Sequence, residues 1–145
     1  MKRVLTRSPG ETAALGASLA PVLRPGEVVA LTGALGSGKT EFVMGVCEGL
    51  GTRGHVGSPT FTLINEYPVA GGMVVHIDLY RISRREEIAE LGLDEYFSGR
   101  CICLVEWAER AAEFLPPECR FVRFEHGPAK DERFISIGEP GERLP

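Results

Sequence analysis

With 145 residues, 43% of them hydrophobic and 25% charged, the chain has the composition of a soluble globular protein with room for a sizeable core. Its net charge of −4 argues against a broad nucleic-acid-binding surface, while leaving room for a local patch or a basic partner. No apolar run approaches the roughly 18 residues of a membrane span, and the start Met1-Lys2-Arg3-Val4-Leu5-Thr6 has no apolar core of the signal-peptide kind. One domain over 1–145, cytoplasmic and without a membrane association, is therefore expected.

Residues 2–6 read as a short strand. Ser8-Pro9-Gly10-Glu11 is a capping box with proline at the first helical position, and the helix it opens closes at Pro21 and Pro25. The β-branched run 28–32 predicts a central strand. It gives way at once to Gly33-Ala34-Leu35-Gly36-Ser37-Gly38-Lys39-Thr40, which matches G-x-x-x-x-G-K-[ST] in full. The spacing has a chemical reason. Glycines let successive backbone N–H groups turn inward toward a phosphate, and the helix that follows points its positive end at the same anion. Lys39, expected on the loop surface, can reach β- and γ-phosphates, and the Thr40 hydroxyl can ligate Mg²⁺. This stretch predicts binding of a nucleoside polyphosphate. A helix runs from Glu41 to about Leu50, with Gly49 and Gly51 at its end.

After a loop over 52–59, a strand is expected at 61–67, a hairpin turn at Gly71-Gly72 and a returning strand at 73–78. Ser83-Arg84-Arg85-Glu86 reads as a second capping box opening a helix over 84–91, broken by Gly92, with a further turn over 93–97. The apolar run Cys101-Ile102-Cys103-Leu104-Val105 predicts a strand buried on both faces. A helix is expected from Ala108 to Leu115, stopped by Pro116-Pro117. Two strands near 120–125 and 133–137 form a C-terminal hairpin, followed by a tail. The four cysteines lack C-x-x-C spacing and read as reduced, buried thiols. Strands alternating with helices around a phosphate loop give an α/β class, a P-loop NTPase-like three-layer fold with a mixed, mostly parallel central sheet.

A phosphate loop needs an acid at the end of a neighbouring strand. Two strands end this way, one in Asp78 and one in Glu106, and strand carboxyl ends border the ligand crevice of open α/β sheets. His76, two residues before Asp78, is read as a hydrogen-bonded interior group. Trp107, the single tryptophan, defaults to core packing, but its neighbour Glu106 brings it within reach of a nucleotide. Thr60 stands where GTPases place a threonine that senses the γ-phosphate. Arg81, Arg84 and Arg85 are diluted by Glu86, Glu87 and Glu90 and read as a solvated helix face. Were the strand to continue, Arg81 would point away from Asp78. No Asn-Lys-x-Asp segment occurs, so GTP is disfavoured.

Taken together, Glu11-Thr12 with Leu15-Gly16, the loop 33–40, Ser58-Pro59-Thr60, His76-Ile77-Asp78-Leu79-Tyr80-Arg81 and Leu104-Val105-Glu106-Trp107 resemble the TsaE (YjeE) family over about residues 5 to 126. The resemblance implies an ATPase of tRNA threonylcarbamoyladenosine biosynthesis that works with TsaD and TsaB and does not itself transfer the group to tRNA. It implies contact with tRNA that is indirect or weak, and a monomer when alone. Position by position, it implies Lys39 on the phosphates, Thr40 and Glu106 at Mg²⁺, Asp78 in hydrolysis, and the segment around Thr12 near the base. Gly33 to Glu41, Thr60 and Trp107 complete the expected nucleotide contacts. Two positions depart from the family pattern. Ala34 stands where an acid is usual, and Glu41 stands where Thr or Ser is usual. A small-molecule phosphotransferase and a non-catalytic nucleotide-dependent switch are the competing readings.

Overall fold

A computed structural model describes residues 1–53, 56 and 63–144. Among the described residues, seven strands form one sheet: β1 (Lys2–Thr6), β2 (Val28–Gly33), β3 (Ile64–Val69), β4 (Gly72–Asp78), β5 (Ile102–Glu106), β6 (Arg120–His126) and β7 (Arg133–Ile137), in the order β1-β7-β6-β2-β5-β4-β3. Strands β6, β2, β5 and β4 run parallel, while β3 and β7 are antiparallel to their neighbours. The mixed α/β sheet is as expected. Its parallel centre requires crossover segments, and these cover both faces.

On one face lie α1 (Pro9–Leu19) and α2 (Lys39–Leu50), packed on Val29, Leu31, Val74, Leu104, Val122 and Phe124. On the other, α3 (Arg85–Ala89), α4 (Leu93–Phe97) and a 3₁₀ segment (Ala108–Phe114) cover Val28, Ala30, Val75, Ile77, Cys103 and Val105. Alternate residues of each central strand therefore enter different cores, which is why the strands read as unbroken apolar runs. Among the described residues, no helix is long and apolar enough to cross a membrane.

The caps of α1 form as the sequence suggests. Ser8 Oγ accepts from Glu11 N at 3.1 Å, and the Glu11 carboxylate reaches back to Arg7 N at 2.9 Å. The second box does not form. Helix α3 begins at Arg85, after an extended Arg84 that provides no side-chain cap, so Ser83 stands one residue too early to reach the first-turn amides. The helix expected over 84–91 is only five residues long, and the Arg84 carbonyl caps it by accepting from Glu87 N at 3.1 Å. The segment after Trp107 is 3₁₀ rather than α, with a break at Ala111 (φ −119°, ψ 25°). A three-residue repeat turns both Ala108 and Ala111 into the core, and Pro116-Pro117 prevents extension. The strand expected from 61 begins at Ile64; positions 61 and 62 lie outside the described residues. Cys47, Cys103 and Cys119 are buried and Cys101 partly so, all unpaired, and burial pushes the first two up to about 12.

Helices α1 and α2 touch backbone to backbone. A Cβ built on Gly45 would lie 1.8 Å from Ala13 O, and one on Gly16 would lie 2.2 Å from Phe42 O. Gly45→Ala should therefore force the helices apart and destabilise the fold by about 1–3 kcal/mol or more. Chemical denaturation of the variant beside wild type checks this, and equal midpoints would contradict so close an approach.

Candidate functional site

Strand β2 delivers the chain to a turn that only glycine suits. Gly33 has φ 143°, and a Cβ there would lie 2.6 Å from Phe124 O on β6. Gly36 (φ 73°) and Gly38 (φ 104°) lie in the left-handed half of backbone space. Gly38 is also the N-cap of α2 and, lacking a side chain, leaves the positive end of the helix open toward the loop. Ser37 Oγ is buried and has no hydrogen-bond partner.

Lys39 is a first-turn helix residue rather than an exposed loop residue, and it is 4% exposed. Helical side chains lean toward the N-terminus, so its stem returns across the loop. Its Nζ donates to the carbonyls of Gly33 and Ala34 and lies 4.0 Å from the Trp107 ring centroid. Burial lowers the pKa of its ammonium, and the negative charges of Glu106, Glu109 and Asp78 oppose that shift. Trp107 itself has φ 59°, the one non-glycine residue at positive φ among the described residues. Backbone of this kind persists only where packing imposes it. Here the indole packs against Lys39 and against Tyr80, whose ring centroid is 5.0 Å away.

The acids arrive by register. Leu31 on β2 pairs with Glu106 on β5, and Glu106 pairs with Asp78 on β4. Both carboxylates thus end their strands on the α2 side. Thr40 Oγ1 donates to Glu106 at 3.1 Å (Oε1) and 3.4 Å (Oε2), and His76 Nε2 stands 2.5 Å from Oε2. Asp78 Oδ1 accepts from Tyr80 N at 3.0 Å. Burial raises the pKa of the Asp78 carboxyl, with the Glu106 charge adding to it; the Tyr80 N–H and the Lys39 charge pull it down. Burial likewise raises that of Glu109.

These groups share one cleft of about 350 Å³, lined by Leu35, Gly36, Ser37, Gly38, Lys39, Thr40 and Glu41 of the loop and helix. Asp78, Glu106 and Trp107 line it too, together with Leu63, Tyr80 and Arg81. Arg81 is placed differently from the strand-based expectation. The strand stops at Asp78 and the chain turns at Tyr80-Arg81, so alternation no longer governs where its side chain goes. Gly33 and Ala34 stand behind the cleft and contribute carbonyls to Lys39. Thr12 is not in this cleft. It is buried on the other side of the loop, its hydroxyl 2.7 Å from that of Thr6, beside Gly38 in a smaller hollow shared with Arg133. Thr60 lies outside the described residues.

Two contributors had no local signal in the sequence. Arg133 on β7 donates to Gly36 O at 3.0 Å and so braces the loop from a position 97 residues away. Arg110 holds the Tyr80 and Ile82 carbonyls and faces the Trp107 ring at 5.2 Å. His76, read from the sequence as a hydrogen-bonded interior group, is buried and finds its partner in Glu106. A helix N-terminus, a lysine ammonium, a hydroxyl and hard carboxylate oxygens in one cleft form a donor set suited to a polyphosphate with an oxygen-loving divalent cation.

A family model described as "Threonylcarbamoyl adenosine biosynthesis protein TsaE" matches residues 6–135. A Bacillus subtilis protein described as tRNA threonylcarbamoyladenosine biosynthesis protein TsaE is 44% identical over 138 residues, which are 95% of this chain and 85% of that one. A Treponema pallidum protein of the same description is 41% identical over 115 residues, covering 79% and 84%. The crystal structure of Bacillus subtilis YdiB superposes with a TM-score of 0.80 at 39% identity, covering 97% of this chain and 86% of that one.

The raised Asp78 carboxyl has a consequence for stability. A carboxyl that holds its proton more tightly folded than unfolded favours folding at low pH, and that stability is lost as pH climbs through its raised pKa. At neutral pH the charged Asp78 is thus a cost, and Asp78→Asn keeps the acceptor for Tyr80 N without the charge. The variant should melt above wild type at neutral pH, with the gap narrowing as pH falls through the raised pKa and gone below about pH 4. Thermal melts across this range check it, and a wild type that melts higher at neutral pH would contradict it.

Proposed function

The chain belongs to the TsaE family, and on that basis we propose that it is an ATP-binding, ATP-hydrolysing subunit required for threonylcarbamoyl-adenosine modification of tRNA, acting with TsaD and TsaB. The observation that carries this reading is the convergence of Lys39, Thr40, Asp78 and Glu106 on the N-terminus of α2. Lys39 exchanges its loop carbonyls for the β- and γ-phosphate oxygens, which are better acceptors for an ammonium. The loop amides from Gly36 to Thr40 cradle the phosphates, and Trp107 and Glu41 border the nucleotide.

Thr40 and Glu106 hold Mg²⁺, the usual pattern for an ion that relies on few protein ligands and on phosphate oxygens. When bound, Mg²⁺ neutralises charge developing on the β- and γ-phosphates. Asp78, across the strand pair from Glu106, orients the attacking water and accepts its proton. Its raised pKa suits that task better than an ordinary carboxylate would. Leu35 and Tyr80, 66% and 44% exposed at the rim of the cleft, support completion of the site by protein partners. On this reading the chain is cytoplasmic, monomeric when alone, and meets tRNA only indirectly or weakly.

Two measurements test the proposal. Lys39→Ala should weaken MgATP binding by about 10- to 100-fold in calorimetry, the worth of a charged hydrogen bond to phosphate. Wild-type affinity in that variant would remove Lys39 from the site. Steady-state phosphate release at saturating ATP should be slow for the chain alone and rise when TsaD and TsaB are added together. A fast rate indifferent to the pair would argue for a self-sufficient enzyme instead.

A further inference from the structure

Within the proposed metal site, and resting on that reading, one group remains without a role. His76 is fully buried on β4, and its Nε2 lies 2.5 Å from Glu106 Oε2. The register explains the contact. His76 pairs with Leu104, two residues before Glu106 on the parallel neighbour, so both side chains leave the sheet on the α2 face. Glu106 is itself nearly inaccessible, with a side-chain exposure of 3%, and a carboxylate there is costly unless its oxygens are matched by donors.

The two ring nitrogens differ. Nδ1 is buried without a partner, while Nε2 faces a carboxylate that can only accept. A neutral ring protonated at Nε2 satisfies this arrangement, because it leaves a bare acceptor in the core instead of an orphaned N–H. The carboxylate is then held at one oxygen by His76 and approached most closely at the other by Thr40, 3.1 Å from Oε1.

We propose that His76 is a positioning residue for Glu106. Its Nε2–H fixes the carboxylate so that Oε1, beside the Thr40 hydroxyl, is presented to a divalent cation in the cleft. Groups that orient metal ligands in this way characteristically change metal affinity by about 10- to 100-fold when removed. Phenylalanine retains the ring shape without the donor, and glutamine retains a donor without the ring.

The experiment is calorimetric titration with ADP, in Mg²⁺ and again in EDTA, on wild type, His76→Phe and His76→Gln. Mg²⁺ should strengthen ADP binding in wild type, and in the phenylalanine variant that gain should shrink by about 10-fold or more. Binding in EDTA should be unchanged, and glutamine should restore part of the gain. If the phenylalanine variant does not fold, His76→Asn, whose amide is too short to reach Oε2, takes its place. A residue that merely fills the core would lower both affinities together, and that outcome overturns the inference. A wild type whose ADP affinity ignores Mg²⁺ overturns the metal reading and this inference with it. Nitrogen-15 spectra of the ring give an independent reading. They should show Nε2 protonated and Nδ1 bare, and the opposite tautomer would overturn the proposal.

Discussion

Parallel pairing of β2 with β5, and of β5 with β4, determines where the two strand-end carboxylates of the cleft stand. Parallel strands finish on the same side of the sheet, so Glu106 and Asp78 end level with the point where β2 enters the phosphate loop. The contact between Thr40 on α2 and Glu106, 66 residues later, follows from that alignment. A one-residue slip of β5 would turn Glu106 into the apolar core formed by Val28, Ala30, Val75 and Ile77, where no donor waits for it. The apolar residues on both faces thus enforce the polar geometry at the strand ends.

The loop itself is held from behind. Gly33 lies against the backbone of β6, and Arg133 ties Gly36 to β7. Helix α2, whose first turn carries Lys39 and Thr40, is pressed onto α1 at glycine contacts that leave no space for even one methyl group. These restraints brace the loop and the first turn of α2 from both sides.

What the sequence made legible was local. A strand, a glycine turn and a helix start within thirteen consecutive residues, so 28–40 declared its own geometry, and strand-end acids could be picked out one strand at a time. The unread parts depend on distant neighbours. Nothing near Arg133 or Arg110 points to the loop or to the Tyr80 turn, because the partners lie far away in the chain. Lys39 read as exposed because a motif names its chemistry and not its packing. Ser83 misled because a cap depends on a helix start one residue away, and the Ala108 segment misled because a 3₁₀ turn places alanines three apart much as an α-helix does.

The sheet order also sets a timetable. Strand β1, the first of the sheet to be synthesised, has a single neighbour in it, β7, with Lys2 opposite Ile137 and Thr6 opposite Arg133. Its native partner follows β2 to β6 in chain order, so on a ribosome β1 waits until all of these have been made. The phosphate-loop unit and its parallel partners can assemble meanwhile, but the margin closes only once β7 has emerged. Such distant closure raises contact order and slows the final step of folding. Until then β1 is an unpaired edge, open to any other strand it meets.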